Sequence, residues 1–408
     1  MKNKKKILMI TPYLPYPPYS GGQTRSYHLI KHLAKKCQIT LICFTLPDQK
    51  ISKTSPLKRY CKKIRTIERG KTWSLKKILR TGFSAYPFLV SNYYSPKLTK
   101  LIIKEMEREK YDLIHVECFY LMPNMPKTNI PTVLIDQTIE YAVYQHYVET
   151  LSGKASFLKP FLWIDVAKLK FWETYFWKKA DRLVAVSKDD QKLMKKLSKR
   201  TADLSVNGVV KNLFKFKKVA KEKNPTILFG VANFKWMQNT EGAVNLLKYV
   251  WPEIKEKVPN AVLHIAGRYS KEFINKNKKL ITNPESVKIG NVDSPAKTYL
   301  QSWVLVAPAK SGGGSRTKFF EAMACGLPIV TTPQGIEGIE ATNNKNVIIA
   351  KDYPEIIKKT IEVLSDKKRR EEIGLEGKKL VSKKYSWKVG ADQLLDVYQK
   401  TLKNDKKD

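Results

Sequence analysis

Eleven short runs of β-branched and aliphatic residues, spread over the whole chain with helical patterns between them, decide most of what this sequence can become. In the first half they read KILMIT, ITLICF, DLIHVE, TVLID and RLVAVS; in the second half TILFG, AVLHIAG, VKIG, WVLVAP, PIVTT and NVIIA. Runs this apolar suit strands buried on both faces, as in parallel sheets covered by helices. Strands alternating with helices give an α/β chain, and two separate series predict two doubly wound domains facing a central cleft. A length of 408 residues accommodates them.

The boundary falls near SVNGVVKNLFKFKKVAKEKNP. Asn207-Gly208 signals a turn there, and a lysine-rich segment without periodicity runs to Pro225. This predicts a first domain over 1–208, a second over 209–385 and a helix over 386–408. Ligands of open parallel sheets bind outside the carboxyl ends of the strands, so the loops after the apolar runs carry the candidate residues.

One such loop is TPYLPYPPYSGGQTRSYHLIKHLAKK, with a helix opening near Gln23 or Thr24. Gly21 and Gly22 let backbone approach a ligand, and the helix N-terminus offers free N–H groups to an anion; a plain strand-to-helix turn is the alternative. The other is VAPAKSGGGSRTKFFEAMACGLPIVTT. It lacks the Gly-Lys-Ser/Thr ending of a P-loop. Gly312, Gly313 and Gly314 permit close ligand approach, Ser315 or Thr317 caps the helix, and Gly326 with Pro328 ends it. Lys318 and Glu321 share a helix face, where Lys318 suits a diphosphate and Glu321 suits vicinal hydroxyls such as a ribose; a surface ion pair is the alternative.

These segments resemble the family-four glycosyltransferases, retaining enzymes of the GT-B fold, which has two Rossmann-like domains, that use nucleotide-sugar donors. The resemblance rests on PYPPYSGGQTRSYHLIKHLAKK, ADRLVAVSKDD, VNGV and above all the GxGxRxKxxEAMAxGxPxV arrangement of the second loop, which is similar to a branch of bacterial polysaccharide-forming transferases. It implies that Glu321 holds the donor ribose. Relatives carry a second glutamate eight residues earlier; here that position is Gly313, so backbone N–H groups of Gly312–Gly314 and Ser315 are expected to meet the sugar. Asn233 and Lys235, in GVANFKWMQN, fall where relatives hold the diphosphate, and Arg316 with Lys318 replaces a missing arginine. Lys318, Arg316 and Glu117 are the catalytic candidates. Glu117 aligns with a family histidine and either orients sugar or acceptor or serves as a structural carboxylate, while His115 reads as a packed core residue. Asp136 and Glu140 stand at the next strand end, with Asp136 alternatively a helix cap. The closing YSW and helix are similar to relatives whose last helix crosses back to the first domain.

The expected activity is metal-independent, since no DxD motif is present, and needs no cofactor beyond the nucleotide-sugar substrate. The expected acceptor is a cell-envelope polysaccharide or a lipid-linked glycan. The net charge of +39 raises a second class, nucleic-acid binding, for which no motif is found; an inactive transferase-like scaffold is a third. Between Lys50 and Arg80 twelve Lys or Arg face one acid, Glu68, a composition suited to an anionic membrane surface. Five scattered cysteines without a CxxC pair, no secretory apolar region and no membrane span fit a cytoplasmic chain on the inner face of the membrane. FLKPFLWIDVAKLKFWETYFWKK, Phe157–Lys179, reads either as a core helix or as a membrane-interface helix.

Overall fold

A computed structural model describes residues 4–47, 49, 51–52, 54–70, 81, 84–216, 220–310 and 317–404. The chain divides into two compact units. The first runs to Asn207 and takes back the helix from Trp387 onward; the second runs from Gly208 to Ser386.

The first unit is built on β1 (Lys5–Thr11), β2 (Cys37–Thr45), β3 (Cys61–Glu68), β4 (Leu113–Glu117), β5 (Thr132–Ile135), β6 (Arg182–Ala185) and β7 (Asp203–Leu204). They pair in the order β3-β2-β1-β4-β5-β6-β7, all parallel among the described residues. β1 and β4 are buried from Ile7 and Leu113 onward, which is why their sequences show no polar alternation. The order reverses between β1 and β4, so the loops after these two strands part in opposite directions and leave a crevice.

The second unit holds β8 (Thr226–Asn233), β9 (Val262–Arg268), β10 (Val287–Gly290), β11 (Val304–Ala307), β12 (Ile329–Thr331) and β13 (Ile348–Ile349), in the order β10-β9-β8-β11-β12-β13. Its reversal lies between β8 and β11. β8 shifts register against β9 between Phe229 and Ala232. Gly267 faces that shift at φ 132°, and a Cβ on it would stand 1.9 Å from the Ala232 carbonyl oxygen, so only glycine fits.

Two strands fall outside the eleven apolar runs. β3, CKKIRTIE, is an edge strand studded with charge, a common way to keep an edge from pairing with other chains. Its cations meet the helix Pro96–Arg108: Lys63 lies 3.0 Å from Glu105 and 3.1 Å from Glu109, and Lys62 lies 2.7 Å from Glu109. The basic run from Lys50 to Arg80 is therefore partly neutralised where it is described; residues 71–80 lie outside the described residues. β7 spans only two residues.

The helix Trp387–Asn404 completes the first unit's core with Ala391, Leu394, Val397 and Tyr398. Trp387 stacks on His28 with ring centroids 5.4 Å apart. Tyr398 hydrogen-bonds Nδ1 of His115, which is fully buried, as the sequence reading of that histidine holds.

Candidate functional site

At the reversal point of the second sheet, β8 ends at Asn233 and leads into the helix Met237–Asn245, while β11 ends at Ala307 and leads, past residues 311–316, into the helix Thr317–Ala324. The second helix closes at Gly326, whose N–H donates to the Met323 carbonyl at 2.9 Å. Lys318, one position inside it, donates to Asn239 Oδ1 at 3.1 Å. Asn239 in turn donates from Nδ2 to the Asn233 carbonyl at 3.0 Å. A chain of hydrogen bonds thus crosses the crevice from β8 to the glycine-loop helix, and the Lys318 ammonium also sits 4.7 Å from the Phe229 ring centre.

Glu321 lies one turn further along, partly buried. Its Oε2 accepts from the Tyr299 hydroxyl at 3.1 Å, and the same hydroxyl accepts from the Val231 N–H at 3.3 Å. Burial lifts the Glu321 carboxyl to about 7, with the Tyr299 hydrogen bond pulling the other way. A carboxyl balanced there is a ready acceptor for hydroxyl donors that favour its charged form. Lys235 is drawn aside, its ammonium 4.0 Å over the Tyr269 ring. It lines an open groove of about 740 Å³ between the helices Met237–Asn245 and Ser270–Lys276, together with Phe234, Thr240 and Glu272.

The corresponding edge of the first sheet is built around Glu117 at the end of β4. Ser26 donates to its Oε2, and Gln137 Nε2 donates to the same oxygen at 2.8 Å. Tyr13 donates to Gln137 Oε1 at 2.8 Å. Gly22 fits beneath this pair, since a Cβ there would come within 2.3 Å of the Tyr13 oxygen. Arg25, on the same helix and fully buried, donates to Asn207 at 2.8 Å and Ser205 at 2.9 Å, and burial lowers its pKa to about 10. Beside β5, Asp136 accepts from the Phe119 N–H at 2.7 Å and from the Trp177 indole. Burial holds Asp136 up at about 7 and Glu140 at about 8.

The Glycosyltransferase Family 4 model matches residues 19–209, and the Glycosyl transferases group 1 model matches residues 211–380. Both units are covered. The chain belongs to the family-four glycosyltransferases. A 44.6 kDa uncharacterized protein in the cps region of Klebsiella pneumoniae is 22% identical to it over 367 residues, 85% of this chain and 88% of that protein. CapM of Staphylococcus aureus, a capsular polysaccharide biosynthesis glycosyltransferase, is 30% identical over 126 residues, 30% of this chain and 33% of CapM. Among solved structures, Anabaena HepE in complex with UDP and glucose shares the fold at a TM-score of 0.66 and 12% identity, over 97% of this chain and 99% of that one.

Measured against the sequence expectations, the transferase brings Lys318, Glu321 and Asn233 to one crevice and turns Lys235 to the next groove. Gly312, Gly313, Gly314, Ser315 and Arg316 lie outside the described residues. The helix of the first loop starts at Gly21 on a Ser20 cap, slightly earlier than Gln23. Gly22 answers a packing need under Tyr13 and Gln137. Glu117, a catalytic candidate by position, is fully buried; its Oε2 accepts from Ser26 and Gln137, and its Oε1 stands 3.6 Å from His115 Nε2. Asp136 does not cap the following helix; Glu173, from the helix Lys159–Lys179, does so by accepting from the Glu140 and Tyr141 N–H groups at 2.8 and 3.0 Å. Asn239 and Tyr299 are the site residues that sequence reasoning missed. Asn239 had a local signal, since it follows Lys235 in the same loop; Tyr299 had none.

Proposed function

We propose that this transferase moves a sugar from a nucleoside-diphosphate sugar to a polysaccharide or lipid-linked acceptor, with retention of configuration and without a metal ion. The observation that carries the reading is the Asn239–Lys318 bridge across the β8/β11 crevice with the Tyr299-held Glu321 one turn away. Glu321 accepts from the donor ribose hydroxyls. Lys318, with Arg316, faces the diphosphate, and backbone N–H groups of Gly312–Gly314 and Ser315 meet the sugar. Negative charge grows on the departing diphosphate, and a fixed ammonium at a helix N-terminus stabilises that charge without reorganising. Asn233 acts through Asn239, and Lys235 extends the cationic rim. CapM, named for capsular polysaccharide biosynthesis, and HepE, solved with UDP and glucose, support the acceptor and donor classes. No helix among the described residues is long and apolar enough to cross a membrane. The chain works at the inner membrane surface as a peripheral protein, and the net charge of +39 supports an anionic surface as its partner.

The test is a donor screen by thermal shift with UDP-, GDP- and ADP-sugars, followed by turnover with membrane extract. One nucleotide sugar raises the unfolding temperature and is consumed, and Glu321→Ala abolishes both effects. If no donor stabilises the chain or turns over, or Glu321→Ala behaves as the parent, the assignment fails.

A further inference from the structure

The helix Lys159–Lys179 is apolar on two opposite sides. One side buries Val166, Leu169, Phe176 and Trp177 in the first unit. The other faces solvent: Phe157, in the turn before the helix, is 72% exposed, Phe161 70%, Ile164 57% and Phe171 61%. With Tyr175 these residues are spaced by four, three, seven and four, which puts them in one line along the helix, roughly 27 Å long. Folding of this unit accounts for the first side and leaves the second in water, where soluble chains rarely keep so continuous an apolar strip.

Lysines edge the strip. The position that interrupts it is Lys168, whose ammonium lies 2.7 Å from the Ser84 carbonyl oxygen. Lys178 and Lys179 flank its end, with Lys179 5.7 Å from the Tyr175 ring centre. Both acids of the helix are turned away: Asp165 accepts from the Phe88 N–H at 2.8 Å, and Glu173 is buried under Glu140 and Tyr141. Aromatic and aliphatic side chains edged by lysines, with both acids of the helix itself engaged inward, match the headgroup layer of an anionic bilayer, where rings enter the acyl boundary and ammonium groups rest on phosphates.

We infer that this strip docks the first unit flat on an anionic lipid surface. The inference deepens the membrane-surface part of the proposed function and needs none of its donor chemistry. The test is flotation of the full chain with vesicles of phosphatidylcholine alone and of phosphatidylcholine with about 30% phosphatidylglycerol. The parent chain floats with the anionic vesicles. The triple variant Phe161→Ser, Ile164→Ser, Phe171→Ser binds them at least about tenfold more weakly. Lys178→Glu with Lys179→Glu weakens the preference for anionic lipid. In all variants the unfolding temperature and its rise with UDP match the parent, because the altered side chains are exposed. A UDP effect absent from every chain would count against the donor reading alone. Equal flotation of parent and triple variant, equal binding to neutral vesicles, or a parent dimer in light scattering that the triple variant dissolves would overturn the inference.

Discussion

Replacing Glu321 by glutamine separates the cost of the site from its use. In the folded chain, burial lifts this carboxyl from its ordinary 4.5 to about 7. Each pKa unit corresponds to about 1.4 kcal/mol, so holding Glu321 ionised costs the empty protein on the order of 3 kcal/mol once pH is well above 7. The sign follows from the proton count. A folded pKa above the unfolded one means the native chain holds the proton more tightly, so stability is fully present below pH 4.5 and is lost as pH rises through 7. Glutamine cannot ionise, and its amide oxygen still accepts from Tyr299 Oη. Glu321→Gln therefore unfolds near the parent at pH 5 and is more stable at pH 8.5, by up to about 3 kcal/mol, or several degrees in a chain of this size. The raised carboxyls Asp136, Glu140 and Glu173 are common to both proteins and cancel in the difference. Calorimetry of both chains from pH 5 to 8.5, with and without UDP-sugar, gives the readout. The parent's affinity for the donor increases with pH across 7, as the carboxylate form fills, and the variant's does not change. A stability gap independent of pH would refute the assignment of a partly buried, proton-holding Glu321.

Other substitutions probe the remaining parts. Lys318→Ala lowers kcat/KM by about 10²–10³, as loss of a fixed charge at a developing anion does, and Asn239→Ala lowers it by about tenfold through lost positioning; steady-state kinetics with the identified donor check both. Gly267→Ala drives a Cβ into the Ala232 carbonyl at a positive φ and costs more than about 3 kcal/mol, seen as loss of soluble protein or a fall in the urea midpoint. Glu117→Ala breaks the Ser26–Glu117–Gln137 network beside buried Arg25 and costs about 2–4 kcal/mol. If that variant kept its urea midpoint and lost turnover, Glu117 would be a catalytic group and the structural reading would be wrong.

The strands were legible wherever both faces are buried, since KILMIT or WVLVA shows its environment in composition alone. β3 was not, because CKKIRTIE owes its place to Glu105 and Glu109, some forty residues away, and local sequence reads it as plain basic surface. Lys318 and Glu321 were legible from a local pattern of glycine, helix start and spacing. Tyr299 was not, because its meeting with Glu321 depends on β8 and β11 being neighbours, a matter of strand order. The helix Lys159–Lys179 left the sequence divided between core and interface for a physical reason. It carries apolar residues around most of its circumference, and only the packed structure tells the covered side from the bare one.

The return of the helix Trp387–Asn404 to the first unit makes the second unit an insertion within the first. During synthesis from the N-terminus, the residues of the second unit are all made before Leu394, Val397 and Tyr398 exist to fill the first unit's core. The second unit can close early, while the first waits with His115 lacking its Tyr398 partner and part of its apolar interior open until the helix Trp387–Asn404 emerges. A chain cut after Ser386 would keep every residue assigned to the donor and lose the seal on the other half. Its failure would show as aggregation of the first unit rather than as a lost nucleotide site.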